Sequence, residues 1–262
     1  IDRYEPSVLW NDIGWPVKGY TDLPYLISYY YNRVPEGVIG DRWMVNKDDF
    51  WYDFSTKEYQ VGAAHMDKKW EMTRGLGLSF GYNQTEGEAD CIGKDELICL
   101  LIDTVAHNGN LLLNIGPKAD GTIPDGDRAI LEDLAKWMKV NSEAVIGANV
   151  WRKSMEGPTA AAEGQFQDQK ELKFTNKDYR FTINHGNIYA IALQCPKDGV
   201  FCIRSLADSS DQNVPEFHGI IESVDILGYD GRLQWSVDGE GLHVTAPGID
   251  SEFPVVVRVR PE

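Results

Sequence analysis

Strand and helix signals alternate through residues 1–150 of this 262-residue chain, and from about Trp151 short strands follow one another alone. Ser7, Val8, Leu9 and Trp10 read as a buried strand that ends at Asn11 and Asp12. Asp22 caps a helix carrying Leu26, Ile27, Tyr30 and Tyr31, and Pro35 stops it. A second strand starts at Val38 and runs to Trp43, and the polar, aromatic stretch from Asn46 to Asp67 reads as a long loop. Trp70 to Thr73 is a third strand, followed by a loop rich in glycine (Gly75, Gly77, Gly81). Leu97, Leu100, Leu101 and Val105 recur at helical spacing between Lys94 and His107. Leu111 to Ile115 is a continuous apolar run, read as a fourth strand buried on both faces. Asp125 opens a last amphipathic helix through Ile130, Leu131, Leu134, Trp137 and Met138.

Beyond Trp151 the runs Lys173 to Thr175, Tyr179 to Asn184, Ile188 to Leu193, Val200 to Arg204, Ile220 to Leu227, Arg232 to Val237, Leu242 to Thr245 and Pro254 to Val259 alternate with turn signals such as Asp198-Gly199 and Asp238-Gly239. That is the pattern of an antiparallel β-sandwich. The first region is short by half for a closed (β/α)8 barrel, which takes eight strands and roughly 250 residues. An open half would leave unpaired strand edges and, on this reading, inner apolar faces at Leu9, Ile39, Leu111 and Leu113 that need a partner. The pattern favours a half barrel completed by another polypeptide over a differently closed α/β layer.

The charge narrows the partners. Lys and Arg total 25 against 41 Asp and Glu, a net charge of −16. Such a surface repels phosphate backbones and anionic lipid, so nucleic acid and membrane surfaces are poor partners and a neutral substrate suits it better. No run of 18 apolar residues provides a membrane span. The chain opens on Ile1 without a basic-then-apolar leader, so it is expected to be a processed product or a piece of a longer protein. Five of the 8 Trp (Trp10, Trp15, Trp43, Trp51, Trp70) fall in the first 70 residues. Core packing is the plainer use for each; clustered near loops they also suit a sugar cleft, because a pyranose offers apolar C–H faces to aromatic rings. Cys91 and Cys99 are about 12 Å apart along a helix, too far for a disulfide. Cys195 and Cys202 bracket a turn read as a hairpin and could pair. The Cys and His spacings show no metal site, and no cofactor is called for.

Glycoside hydrolysis needs two carboxyl groups flanking the scissile bond, and barrels place such groups at the C-terminal ends of strands. Asp12 stands there after the first strand, with a turn or cap role as its alternative. Arg42 follows the second strand; its fork of donors can hold sugar hydroxyls or orient a carboxylate, unless it is a surface arginine. Glu58 lies in the loop beyond, where a mobile general acid can sit and where most glutamates are merely solvated. Asp48, Asp49, Asp53 and Glu71 compete with it on composition.

These residues sit in recognisable blocks. Arg3-Tyr4-Glu5-Pro6, Leu9-Trp10-Asn11-Asp12 and Gly14-Trp15-Pro16 resemble the nucleophile segment of the α-L-fucosidase family of retaining glycoside hydrolases. Asp41-Arg42-Trp43, Trp70-Glu71, Ser79-Phe80-Gly81-Tyr82-Asn83, Gly109 to Pro117 and Asp120-Gly121 are similar to further family blocks, in the family's order, over Ile1 to about Gly147. The resemblance implies a fold that is α/β followed by all-β. Residues 1–150 would be the C-terminal portion of a (β/α)8-like catalytic barrel, and residues 151–262 an antiparallel β-sandwich domain. It implies Asp12 as the nucleophile and Glu58, in its Lys-Glu-Tyr context, as acid/base. Trp10, Arg42 and Phe80 would line the sugar pocket, with an apolar wall for the C5 methyl of a 6-deoxy sugar. Asn114 and the glycine-rich blocks read as architectural.

The family's preceding half barrel, which supplies further groups to the sugar hydroxyls, has no counterpart here. The implied activity is therefore hydrolysis of terminal α-L-fucosyl linkages once a second polypeptide carrying that half, or a second copy, completes the site. The alternatives are a non-catalytic glycan-binding or scaffold fragment of a decayed barrel, and a retaining hydrolase for another sugar. Asn83-Gln84-Thr85 is a glycosylation sequon in a block expected at the pocket. A glycan there would obstruct the site, which favours a bacterial source. Localisation stays open, with a secreted or periplasmic setting favoured over a cytoplasmic one.

Overall fold

The computed structural model describes residues 1–43, 51–59, 68–159, 173–208 and 217–262. Five parallel strands open the chain. β1 (Val8–Leu9) pairs with β2 (Val38–Ile39), and a Gly40–Phe54 bridge carries the sheet on to β3 (Ser55–Glu58), β4 (Trp70–Gly75) and β5 (Gly109–Asn114). Helix α1 (Leu23–Arg33) joins β1 to β2, α2 (Lys94–Ala106) joins β4 to β5, and α3 (Asp125–Asn141) follows β5. Among the described residues β1 pairs only with β2 and β5 only with β4, so both edges of this sheet are open.

The strand signals in the sequence announce four strands here; the fifth is β3, which lies inside the polar, aromatic stretch expected to be a loop. Its residues Ser-Thr-Lys-Glu carry no apolar alternation to betray a strand. A second correction concerns which face is covered. Leu9 and Ile39 pack under α1 with Leu23, Ile27 and Tyr30. Leu111 and Leu113 pack with Met72 of β4 against α2 and α3. Because side chains alternate along a strand, the uncovered face belongs to their neighbours. Val8 is 47% and Leu112 44% exposed, beside Thr56, Glu71 and Asn110 in register. β5 is therefore buried on one face rather than two.

The second half stacks two antiparallel sheets. One runs β10 (Ile221–Ile226), β13 (Val255–Pro261), β8 (Asn187–Ala192), β7 (Tyr179–Asn184), β6 (Asn149–Glu156); the other runs β11 (Gln234–Val237), β12 (Leu242–Thr245), β9 (Val200–Ile203). Phe181, Ala190 and Val257 meet Phe201, Ile203, Leu242 and Val244 between them. The outer face of the five-stranded sheet is covered as well: Tyr189, Ile191 and Val256 pack on Ile98, Ile102 and Trp137 of the helices. Helix α2 thus buries Leu97 and Leu100 toward β4 and β5 and Ile98 and Ile102 toward the sandwich, which is why it is apolar nearly all round. Asp103 of α2 pairs with Arg180 of β7 inside this layer.

Two smaller expectations fail in the sandwich. Lys173 to Thr175 is not a strand. Cys195 and Cys202 do not bracket a hairpin, because the chain crosses between β8 and β9 from one sheet to the other, and all four cysteines are free. Among the described residues no helix is long and apolar enough to cross a membrane.

Candidate active site

Five parallel strands running one way bring their C-terminal ends to one edge, and each sequence-selected residue leaves from that edge. Trp10 and Asp12 follow β1, Arg42 follows β2, Glu58 closes β3, and Phe80 lies in the loop after β4. Glu58 is thus the last residue of a strand rather than part of a free loop, and β3 fixes its backbone against Thr73 of β4.

Arg42 draws the group together. Its Nη1 lies 3.1 Å from Asp12 Oδ1 and 2.6 Å from Glu58 Oε1. Its Nε donates to Thr56 Oγ1 at 2.5 Å. Thr56 in turn donates its hydroxyl (2.8 Å) and its amide (3.0 Å) to Asp41, a carboxylate only 2% exposed. Trp10 lies flat enough for the Arg42 guanidinium to sit 5.2 Å from its ring centroid, a cation–π contact. Arg42 is the most buried of the three charged side chains, at 21%, with Glu58 at 35% and Asp12 at 56%. The carboxylates therefore face the open side while their common cation stands behind them.

Glu71 of β4 accepts the Trp10 indole N–H at 2.9 Å and, more weakly, the Thr73 hydroxyl at 3.3 Å. Trp10 directly follows β1, so that bond reaches across β2 and β3. Three strand spacings in a flat sheet amount to roughly 14 Å, beyond what the two side chains span, so the sheet is curled with this face on the inside. Glu71, a rival of Glu58 by composition, is occupied in holding Trp10. Asp53, another rival, accepts the Tyr31 hydroxyl at 2.6 Å and the Ile39 amide at 2.8 Å, away from Arg42. Asp48 and Asp49 lie outside the described residues.

Phe80 stands at the rim, 40% exposed, with its ring 5.5 Å from that of Tyr59, the residue after Glu58. Asn114 donates to the Phe80 carbonyl, a supporting role for that loop. Of the remaining clustered tryptophans, Trp43 and Trp70 are core and Trp51 is exposed. The Asn83 amide is engaged inside its own loop, donating to Ser79 Oγ (3.3 Å) and Glu86 Oε1 (3.1 Å). Sequence reasoning missed Asp41, Thr56 and Tyr59. The signal for Thr56 was available: it precedes Glu58 by two, so on a strand both point to one face.

Residues 1–143 match the family model described as α-L-fucosidase, and residues 169–255 match the α-L-fucosidase C-terminal domain. The α-L-fucosidase of Dictyostelium discoideum is 30% identical over 266 residues, covering 98% of this chain and 50% of its own length. The tissue α-L-fucosidase of Homo sapiens is 28% identical over 271 residues, covering 99% and 52%. Among solved structures, the Thermotoga maritima α-fucosidase in complex with a mechanism-based inhibitor superposes with a TM-score of 0.76 at 36% identity, over 98% of this chain and 53% of that one. The same enzyme in complex with fucose gives 0.74 at 36% identity, over 98% and 53%. The chain spans about half the length of the curated relatives it matches. With one family model covering more than half of its residues and a second covering much of the rest, the chain belongs to the α-L-fucosidase family.

Proposed function

We propose that this chain carries the two reacting carboxylates of a retaining α-L-fucosidase, which releases terminal α-L-fucose from a fucosylated glycan or glycoside. The observation that supports this reading is the shared Arg42 nitrogen. Asp12 Oδ1 and Glu58 Oε1 are no farther apart than contacts of 3.1 and 2.6 Å laid end to end. That upper bound falls short of the ~6.5–9.5 Å that lodges a water between the carboxylates, and favours the shorter ~5–5.5 Å class in which one carboxylate attacks directly.

In the first step Glu58 protonates the glycosidic oxygen while Asp12 attacks the anomeric carbon and forms a fucosyl ester. In the second, Glu58 takes a proton from water as it attacks the same carbon, and Asp12 leaves. Two inversions return the α configuration. Trp10 and Phe80 present aromatic surface to the apolar face and C5 methyl of the sugar. The Arg42 donors not spent on carboxylates hold its hydroxyls.

Residues 1–150 act in this reading as the later portion of the catalytic barrel and residues 151–262 as its accessory sandwich. The curled inner face, with Val8 and Leu112 uncovered, and the open edges of β1 and β5 suit a completing surface. That surface would be the preceding barrel half or, failing that, a second copy. The test is hydrolysis of an aryl α-L-fucoside by the purified chain, alone and with a polypeptide supplying the preceding half, alongside sedimentation. The expected result is association or weak turnover alone and strong turnover after addition. A stable 29.5 kDa monomer that turns over at about 1 per second or faster would refute the need for a partner. A folded, complemented chain without turnover would refute the enzymatic reading.

A further inference from the structure

We propose that the Ile13 amide is a positioning group for Asp12: together with Arg42 it commits Oδ1 to two fixed donors and leaves Oδ2 as the oxygen that attacks. This rests on the reading of Asp12 as nucleophile.

Ile13 has φ 64° and Gly14 φ 81°. Glycine adopts such values freely, but a β-branched residue there is an outlier that the surrounding structure must enforce. Within this chain the Ile13 side chain is 94% exposed, so no packing inside the chain offsets the strain. What enforces the turn is a clamp on both sides of it. Before it, Asn11 Nδ2 donates to the Arg42 carbonyl at 3.2 Å. After it, the Trp15 amide donates to the Trp43 carbonyl at 2.7 Å, and the two indoles pack with centroids 5.6 Å apart. Three residues must reverse direction between those anchors.

In that turn the Ile13 amide reaches Asp12 Oδ1 at 2.9 Å, and Arg42 Nη1 meets the same oxygen at 3.1 Å. Among the described residues no group bonds Oδ2. One carboxylate oxygen is thus held and the other kept open. As the Oδ2–anomeric carbon bond forms, the bond to the aglycone oxygen breaks, that oxygen keeps the electron pair, and it collects the Glu58 proton. The strain at Ile13 is the local cost of returning the chain from Asp12 to the Trp15–Trp43 anchor within three residues.

Two substitutions at one position separate donor from turn. The α-hydroxy acid analogue of isoleucine, placed at residue 13 by nonsense suppression, makes an ester that lacks the N–H. Ile13→Gly keeps the N–H and relieves the strain. Turnover is read in the complemented enzyme with an aryl α-L-fucoside. The ester should lower kcat roughly tenfold or more with KM within about a factor of two, as expected for lost orientation rather than lost binding. Ile13→Gly should turn over roughly tenfold faster than the ester and melt a few degrees above the parent chain. A third reading needs no turnover: the amide proton of 15N-labelled Ile13 should shift upfield in Asp12→Ala.

An Ile13 resonance indifferent to Asp12→Ala, or an ester variant with the parent kcat, overturns the proposal. Asp12→Gly that retains turnover without an added nucleophile overturns instead the role of Asp12, whatever Ile13 does.

Discussion

Replacing Asp103 by alanine would remove one partner of an ion pair that is almost wholly dry. The Asp103 and Arg180 side chains are 9% and 1% exposed. In Asp103→Ala the guanidinium keeps, among the described residues, its bond to the Tyr179 carbonyl (3.1 Å) and the ring of Phe174, 5.4 Å from its Cζ to the centroid. Stranding one charge of a buried pair costs about 3–5 kcal/mol. The retained contacts argue for the lower part of that range. For a chain of this size each kcal/mol shifts the melting point by roughly 2–4 °C, so a loss of about 3 kcal/mol should make Asp103→Ala melt about 6–12 °C below the parent. The pair joins α2, which backs β4 and β5, to β7 of the sandwich, so the loss should appear in one transition and not as early melting of a single half. The assay is calorimetry at pH 7 with circular dichroism as a second probe. The double substitution Asp103→Leu/Arg180→Met should recover most of the loss, because a buried pair is worth little against well-packed apolar residues. A single-variant shift below about 2 °C, or a double variant as unstable as the single, would refute the argument.

Asp178 offers a pH test. Burial alone would raise its pKa, but bonds from the amides and hydroxyls of Thr159 and Thr175 hold it below the ordinary carboxylate value. Its contribution is therefore complete above the unfolded value of about 3.9 and is lost as pH falls through the folded one. Asp178→Asn should be less stable at pH 7 and lose less on going from pH 5 to 2, measured by urea midpoints; equal acid sensitivity would contradict this. Glu58→Ala should slow a fucosyl disaccharide far more than an aryl fucoside with a good leaving group, because the latter needs little acid help. Equal slowing of both substrates, or none, would point to another acid.

What the sequence made legible was position along the chain; what it hid was facing and partnership. Asp12 and Arg42 could be found because each follows a strand that its apolar residues announce. Glu58 could be found only as a loop residue, because Ser55-Thr56-Lys57-Glu58 is polar throughout and is a strand only by pairing with Trp70 to Thr73. The run Leu111-Leu112-Leu113 announces a strand but not which face is covered, since three leucines in a row carry no alternation; α2 and α3 decide it. β6, from Asn149 to Glu156, gives no strand signal because Arg152, Lys153 and Glu156 mask it and its register with β7 is itself irregular. The Trp10–Glu71 bond depends on sheet curvature, a property of the assembled strands that no local pattern encodes.

The central claim, that Asp12 forms the covalent bond to the sugar, is tested most directly by rescue of Asp12→Gly in the complemented enzyme. Without its nucleophile this variant should lose nearly all turnover of an aryl α-L-fucoside. Azide should restore turnover by attacking from the vacated side, and the product identified by NMR should be β-L-fucosyl azide. Substantial turnover by Asp12→Gly with no azide present, or rescue that yields the α-azide, would contradict the account.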